Sequence, residues 1–247
     1  MKYLFKLSYL GSAYCGWQVQ KSAPTVQGVL QNACAQVFKK PYLLTGCSRT
    51  DSKVHAREYY AMYETEESAP SLSPESVLYA VNAYLPSDIS LLDVSIIEDG
   101  SFHPRYSVKS KEYEYVISNS KIKDPFLSDR AYHYPRNLNC DLMNVGAQKL
   151  VGKHDFAAFM ASGSDVTDTV RTIYSFSVTR EADLVKIRVC ADGFLYNMVR
   201  ILSGTLVEIS EGKIDPRKID EIIESKDRAK AGRTLPPQGL YLNRVYY

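Results

Sequence analysis

The sequence lacks several features that would assign it to a common class of proteins. No stretch approaches the roughly 20 apolar residues that a membrane-spanning helix requires. Lys2 and Lys6 interrupt the apolar residues at the N-terminus, so no secretory signal peptide is expected. The cysteine count is odd, at five, with no C-x-x-C pair, which indicates neither a zinc site nor a disulfide framework. We therefore expect a soluble, cytoplasmic protein with no membrane association.

Histidines and nucleotide-binding motifs are equally scarce. The four histidines have no spacing that would bring two onto one helical turn, so no metal site is expected. The sequence contains no G-x-x-x-x-G-K, G-x-G-x-x-G, H-E-x-x-H or G-x-S-x-G segment. It thus lacks the local signatures of nucleoside triphosphate, dinucleotide, zinc-hydrolase and serine-hydrolase sites. These absences favour a reaction that uses no cofactor.

The charge balance gives no direct sign of a polyanionic partner. The chain has 30 Lys and Arg against 28 Asp and Glu, for a net charge of +2. A nucleic-acid site would therefore have to be a local cluster of basic residues. Tyrosine is abundant, at 19 residues, and its ring can either pack in a core or stack on a base. We expect core packing for most of them.

Apolar periodicity predicts two successive α/β units in this chain. In the first, the predicted order is β-α-β-β-α-β, over residues 3–9, 26–38, 42–47, 59–64, 74–84 and 92–96. The helices have Thr25 and Ser73 as expected N-caps, the second with Pro74 in the first helical position. In the second unit, the predicted elements are a strand at 113–117, a helix at 142–150, a hairpin at 176–178 and 185–189, helices at 194–209 and 219–223, and a strand at 240–242.

This order predicts an α+β (α/β) fold of two ferredoxin-like, RRM-like halves, each an antiparallel sheet backed by helices. The crossover lies near residues 100–105, so the expected domains are residues 1–104 and 105–247. We expect the active-site cleft to lie between them. The first domain would carry the catalytic loop, and the second would complete the active site and provide a dimer interface.

One polar segment between two predicted strands carries the best candidate for chemistry. It reads Ser48-Arg49-Thr50-Asp51-Ser52-Lys53, with His55 soon after. An Asp in such a loop is most often a turn former or a cap. The alternative is a catalytic carboxylate, which the loop residues by themselves do not establish.

Longer motifs favour the catalytic interpretation. Residues 48–56, S-R-T-D-S-K-V-H-A, resemble the G-R-T-D-x-G-V-H-A signature of the TruA family of tRNA pseudouridine synthases. Other segments resemble motifs of that family in the same order along the chain: Gly16-Trp17-Gln18 with Gln20, Val81-Asn82-Ala83 with Leu85-Pro86 and Asp88-Ile89, Phe102 to Ser107, Lys111 to Tyr115, Gly152 to Phe156, Val170 to Ile173, Phe194 to Arg200 and Gly239 to Leu242. Because the resemblance runs nearly end to end, coincidence is a poor explanation for it.

The resemblance implies an isomerase that converts uridine to pseudouridine at positions 38 to 40 of the tRNA anticodon stem-loop. It implies a homodimer whose RNA spans both subunits, and no cofactor. Asp51 would be the catalytic carboxylate, Arg200 its cationic partner, and Tyr113 the ring that stacks on uracil. The substrate-binding residues would be Arg49, Leu240, Arg105 and Lys111. Whether Asp51 attacks carbon or removes a proton stays open, because both routes need the same residue.

The catalytic segment departs from the family pattern at several positions. Ser48 replaces the usual Gly, Leu10 replaces an acidic residue before Gly11, and Ser52-Lys53 replace a small residue followed by Gly. If that Gly has a positive φ, Lys53 must adopt the same conformation at a cost of about 1 kcal/mol, or the loop must change shape. An additional phosphate contact by Lys53 is a further option.

Two other functions stay open at this stage. The chain could be an RNA-binding protein that has lost catalysis, although the intact Asp51, Arg49, Tyr113 and Arg200 argue against it. It could also be a related synthase with different RNA targets. Two basic groups are ambiguous between RNA contact and ordinary surface: Arg105 with Lys109, Lys111, Lys121 and Lys123, and Lys226 with Arg228, Lys230 and Arg233.

Overall fold

The computed structural model describes residues 1–66, 68–164 and 166–247. The chain divides into two compact units. Unit 1 comprises Met1–Lys109 and Leu242–Tyr247, and unit 2 comprises Ser110–Tyr241. The boundary expected after residue 104 falls inside unit 1, shortly before this division.

Unit 1 confirms the predicted β-α-β-β-α-β order. Its elements are β1 (Lys2–Tyr9), α1 (Val26–Phe38), β2 (Leu43–Gly46), β3 (His55–Glu64), α2 (Pro74–Asn82) and β4 (Ile89–Ile96). Both predicted N-caps are present, since Thr25 and Ser73 accept hydrogen bonds from Gly28 N and Ser76 N. Helix α2 ends at Asn82, so Tyr84 lies beyond it and is exposed.

The sheet of unit 1 has the strand order expected for a split β-α-β unit. Strand β1 lies between β3 and β4, and β2 pairs with β3, all antiparallel. Along β1, side chains alternate between buried and partly exposed, as the period of two predicts. On the buried face of β1 lie the large residues Tyr3, Phe5 and Leu7, which have no exposed surface. The core of this unit is therefore aromatic, as expected for most of the tyrosines.

Unit 2 follows the predicted order and adds two short strands. Its elements are β5 (Ser110–Ser118), β6 (Tyr132–His133), α3 (Cys140–Lys149), β7 (Gly152–Asp155), β8 (Val170–Glu181), β9 (Leu184–Ala191), α4 (Met198–Ser210), α5 (Ile219–Ser225) and the start of β10 (Leu240–Tyr246). The strands pair antiparallel in the order β5-β9-β8-β7, with β6 parallel to β5. At two and four residues, β6 and β7 are too short to show a period in the sequence.

The start of α4 differs from the sequence prediction. We predict a helix from Phe194, but α4 begins at Met198. Asn197 has a φ of 57°, in the left-handed region, which a right-handed helix cannot include. Asn tolerates this conformation better than most residues. The apolar run before it is thus an irregular segment that leads into the helix.

A charged cluster in unit 2 fixes the end of α4 to the segment before β10. The Arg233 guanidinium lies 2.8 Å from Glu211 Oε1 and 3.3 Å from Glu208 Oε1. Tyr134 donates its hydroxyl to Glu211, whose side chain is only 8% exposed. Hydrogen bonding to Arg233, above all, lowers the pKa of Glu211 from 4.5 to about 2.

A membrane-spanning helix must be both long and apolar, and none of the helices in the described ranges meets these two requirements.

The low pKa of Glu211 predicts how stability depends on pH. We expect Glu211→Gln to lower the free energy of unfolding at pH 7 by about 1 to 3 kcal/mol, because it removes the nearer of the two carboxylate partners of Arg233. A carboxyl whose pKa is lower in the folded state stabilises above its unfolded pKa and loses this effect as pH falls. The difference between wild type and variant should therefore shrink between pH 5 and pH 3.

Urea unfolding at several pH values measures this difference, with Glu224→Gln as the control. Glu224 lies on α5 and is exposed, so its neutralisation should change stability little at any pH. A Glu211→Gln difference that stays constant from pH 7 to pH 3 would contradict the electrostatic explanation.

Candidate active-site loop and supporting residues

The segment between β2 and β3 places Arg49 and Asp51 on one short loop. Its end is a turn, in which Val54 N donates to Asp51 O at 3.2 Å. Asp51 is half-buried, while Arg49 is exposed. The structure thus brings a partly shielded carboxylate and an accessible guanidinium together on the same loop of unit 1.

The N-terminal segment of unit 1 holds the backbone of this loop. Trp17 N donates to Thr50 O at 3.1 Å, and Lys53 N donates to Tyr14 O at 3.1 Å. Gly16 makes the close approach possible, because a Cβ on it would lie 2.4 Å from Thr50 O. Gly16 also has a φ of 83°, which side chains disfavour. The G-W-Q motif therefore supports the loop that carries Asp51.

Aromatic hydroxyls under the loop satisfy further polar groups. Tyr9 and Thr50 share a buried hydrogen bond of 2.8 Å between their hydroxyls. Tyr59 donates its hydroxyl to Ser48 O, and its ring stacks on Trp17 at 4.1 Å between centroids. Because these rings are packed in the core, they hold the start of the loop rigidly. The sequence motif contains Thr50, but nothing in the local pattern indicated its tyrosine partner.

His55 has a structural position directly after the loop. It is fully buried, and its Nδ1 accepts a hydrogen bond of 3.0 Å from Gly11 N. A Cβ on Gly11 would lie 2.0 Å from Val54 O, so only glycine allows this contact. The His in the motif therefore ties the end of the loop to the segment after β1.

The V-N-x-x-L-P-x-D-I segment is likewise part of the framework. Asn82 donates to Leu91 O at 3.0 Å and accepts from Leu91 N at 2.8 Å, which joins α2 to β4. Asp88 accepts a hydrogen bond of 2.7 Å from the hydroxyl of Tyr14, the residue whose carbonyl accepts from Lys53. This motif thus braces the loop from a second side.

In unit 2, Tyr113 lies on β5 with its ring almost fully buried. It is 7% exposed, and the ring of Phe194 meets it edge to face at 5.1 Å between centroids. Lys111 lies two residues earlier, on the same side of the strand, and is half-buried. Leu240 begins β10 and is 5% exposed.

Arg200 is oriented by acceptors on both sides of its guanidinium. Its Nε donates to Leu235 O at 2.7 Å, and its Nη1 donates to Asn197 Oδ1 at 2.5 Å. Leu235 N donates in turn to the carbonyl of Arg200 at 3.2 Å. Arg200 is half-buried, in the first turn of α4. Burial raises the pKa of the Tyr115 hydroxyl, and the positive charge of Arg200 acts in the opposite direction and lowers it. The Tyr115 hydroxyl donates to Pro236 O at 2.7 Å.

The remaining predicted substrate-binding residue, Arg105, is exposed in a loop of unit 1. Its guanidinium lies 5.8 Å from the ring centre of Tyr106, which is 78% exposed. The imidazole of His103 lies 4.4 Å from the same ring, with the two planes tilted by 31°, and its Nδ1 accepts from the backbone N–H groups of Arg105 and Tyr106. Arg105 is therefore presented from an ordered loop.

The second basic group forms interactions inside unit 2. Lys226 pairs with Asp155 at 2.7 Å, and Arg233 pairs with Glu208 and Glu211. Arg228 donates to Ala231 O and to Thr234 Oγ1. These contacts favour a structural role over RNA contact for this group.

Within the described ranges, no group of three or more His, Cys, Asp or Glu residues is arranged to hold a metal ion.

Sequence reasoning missed the residues that support the candidates. Asn197 falls within the predicted helix 194–209, whose pattern gives no sign of its contact with Arg200, and Leu235 acts through its backbone carbonyl. For Tyr9, the sequence predicts only a position in a strand. Asn197 lies only three residues before Arg200, and this closeness in sequence is the one signal that could have pointed to it.

Comparisons with known proteins agree with the motifs. A family model described as tRNA pseudouridine synthase matches residues 147–247. A protein of Thermoanaerobacter sp. (strain X514) named tRNA pseudouridine synthase A is 45% identical over 98% of this chain and 97% of its own length. Proteins of the same name from Acetivibrio thermocellus and Bacillus subtilis (strain 168) are each 43% identical over 98% of this chain and 97% of their own.

Among solved structures, a crystal structure of a Cbf5-Nop10-Gar1 complex contains a chain with a TM-score of 0.40 and 14% identity, covering 98% of this chain and 49% of that one.

The identity to curated relatives extends from end to end and far exceeds what a shared fold alone requires. The chain belongs to the tRNA pseudouridine synthase A family.

Proposed function

We propose that this protein converts uridine to pseudouridine in tRNA, with Asp51 as the catalytic carboxylate. The observation that carries the proposal is the position of Asp51, on a loop whose backbone is held by Trp17 and Tyr14 and whose Thr50 side chain is bonded to Tyr9. A catalytic group must be kept close to its productive position, and a loop tied at several points to a core meets that need. Family membership supports the reaction, since the relatives are named for it.

The chemistry needs an ionised carboxylate and no added group. The bond from ribose C1′ to uracil N1 breaks, the base rotates, and C1′ bonds to C5, which loses its hydrogen as N1 gains one. Substrate and product are therefore isomers. A carboxylate can begin the reaction by attacking base or sugar covalently, or by removing a proton from the sugar. Both routes require Asp51 in its charged form.

A carboxylate that is shielded from water stays charged only with a cation or hydrogen-bond donors nearby. We assign the role of cation to Arg200, following the family resemblance. Two acceptors in unit 2, Leu235 O and Asn197 Oδ1, fix the orientation of its planar guanidinium.

Tyr113 is proposed to stack on the target uracil and to take part in proton transfer from C5. The target base must leave its stem to react, at a cost of a few kcal/mol, and an aromatic ring compensates for the lost stacking. Phe194 meets the ring of Tyr113 edge to face and fixes its plane. Leu240 is proposed as an apolar wall of the same pocket.

The proposed substrate is the anticodon stem-loop, with uridines 38 to 40 as targets. Arg49, Arg105 and Lys111 would contact its phosphates, and Arg49 would also help to extrude the nucleotide. We propose a homodimer in the cytoplasm, as in the family that the motifs resemble. The other candidate is a synthase of this family with different RNA targets, which the departures at Ser48 and Ser52-Lys53 favour.

The first test is tritium release from tRNA labelled at uracil C5, because that hydrogen leaves only when C5 becomes the glycosidic carbon. We expect release by the wild type and a loss of about 1,000-fold or more in Asp51→Asn at equal RNA occupancy. Asp93→Asn, at an exposed position on β4, is the control and should retain activity. Tight RNA binding without release by the wild type would favour a binding protein that has lost catalysis.

A second test separates the ring of Tyr113 from its hydroxyl. We expect Tyr113→Phe to keep the KM for tRNA within about threefold and to lower kcat by about 100-fold, because stacking is retained and proton transfer is lost. Tyr115→Phe is the matched control, since its hydroxyl donates to a backbone carbonyl within unit 2. This control should lower thermal stability more than kcat. An unchanged kcat in Tyr113→Phe would limit the residue to stacking.

The third test maps the target. We expect single uridine-to-cytidine changes at positions 38, 39 and 40 of a tRNA transcript to abolish pseudouridine at the changed position alone. Chemical mapping of pseudouridine along the transcript measures this. Modification outside the anticodon stem-loop would support the synthase with different targets and overturn the proposed specificity.

A further inference from the structure

Lys53 adopts a backbone conformation that lysine disfavours. Its φ is 65°, in the left-handed region, as the sequence comparison with glycine at this position predicts. The turn from Asp51 to Val54 closes with a hydrogen bond of 3.2 Å, and Lys53, but not Ser52, has a positive φ. A turn with that pattern is of type II, in which the third residue is normally Gly or Asn. Lysine therefore replaces the residue that this turn favours.

Contacts on both sides of Lys53 hold the loop in this shape. Lys53 N donates to Tyr14 O at 3.1 Å, which fixes the peptide before the strained residue. On the other side, a Cβ on Gly11 would already lie 3.1 Å from the carbonyl carbon of Lys53. The loop thus accommodates lysine at a positive φ, which is the first of the two outcomes that the sequence left open.

Three of the other non-glycine residues with a positive φ lie where such conformations are usual, and the fourth is Asn197 before α4. Lys39 and Lys226 follow the ends of α1 and α5, and Ala182 is in the turn between β8 and β9. Left-handed residues at helix ends satisfy carbonyl groups of the last turn. Lys53 has no such reason, since it lies in the loop of the catalytic carboxylate. Backbone strain that is retained at such a place suggests a function for the side chain.

The charge of Lys53 is available for a ligand. The side chain is exposed, and no residue of the described ranges pairs with its ammonium. Three other exposed lysines, by contrast, pair with carboxylates: Lys40 with Glu66, Lys149 with Asp220 and Lys226 with Asp155. An ammonium two residues from Asp51 can approach the backbone of any nucleotide whose base is held at that carboxylate.

We propose that Lys53 binds a phosphate of the RNA backbone beside the target nucleotide. This inference rests on the proposed function. Lysine suits the role because its ammonium is a compact charge that needs no fixed geometry towards phosphate. A glycine at this position, as in the motif that the segment resembles, cannot make this contact. The strained lysine thus contributes affinity for RNA and reduces stability.

These two effects have opposite signs, which makes the proposal testable. In Lys53→Gly, we expect the melting temperature to rise by about 2 °C, because glycine relieves the left-handed strain. The same variant should bind a tRNA transcript about 3-fold to 10-fold more weakly, and the slope of log K against log salt should fall by about 0.7 to 0.9, the change expected for one phosphate contact. Lys53→Asn should show the same reduction of the salt slope, since asparagine tolerates a positive φ but has no charge. Lys53→Arg should keep the slope of the wild type.

Lys39→Gly is the matched control, since it removes an exposed lysine with a φ of 68° at the end of α1. We expect it to raise the melting temperature as well, but to leave the salt slope unchanged. An unchanged slope in Lys53→Asn, or an equal loss in Lys39→Gly, would overturn the proposal. Tritium release by the wild type is measured in parallel, so that failure of the proposed function is recognised separately from failure of the Lys53 contact.

Discussion

The structure depends on the close contact between two backbone segments, the loop that carries Asp51 and the segment after β1. The contact exists because Gly11 and Gly16 have no Cβ, which would lie 2.0 Å and 2.4 Å from carbonyl oxygens of the loop. Hydrogen bonds from Trp17 and Lys53 then join the segments. A carboxylate on a loop is otherwise free to move, and here the freedom is removed before any substrate binds.

A comparable chain of support exists in unit 2. Arg200 depends on the carbonyl of Leu235, and the segment of Leu235 is fixed by Arg233, which binds two carboxylates at the end of α4. Gly204 allows this segment to approach the helix, because a Cβ there would lie 1.8 Å from Arg233 O. The ion pairs of Arg233 therefore help to fix the orientation of the Arg200 guanidinium.

The distribution of basic residues shows how their surroundings decide their roles. Arg228 and Arg233 belong to a dense basic stretch, yet they form hydrogen bonds and ion pairs within unit 2. Arg105, by contrast, is exposed beside the ring of Tyr106. Lysine and arginine counts cannot distinguish these cases, because the difference lies in which acceptors the fold brings close.

The sequence by itself determined the order of the main elements, both predicted helix caps and the family, because these depend on periodicity, local hydrogen bonds and ordered motifs. It also anticipated the conflict at Lys53, since a motif glycine implies a positive φ. Only the tertiary structure showed the bond between Tyr9 and Thr50, the acceptors of Arg200 and the start of α4 at Met198. It also assigned Leu242–Tyr247 to unit 1. These features join residues far apart in the chain, or depend on one backbone angle, and neither leaves a periodic pattern in the sequence.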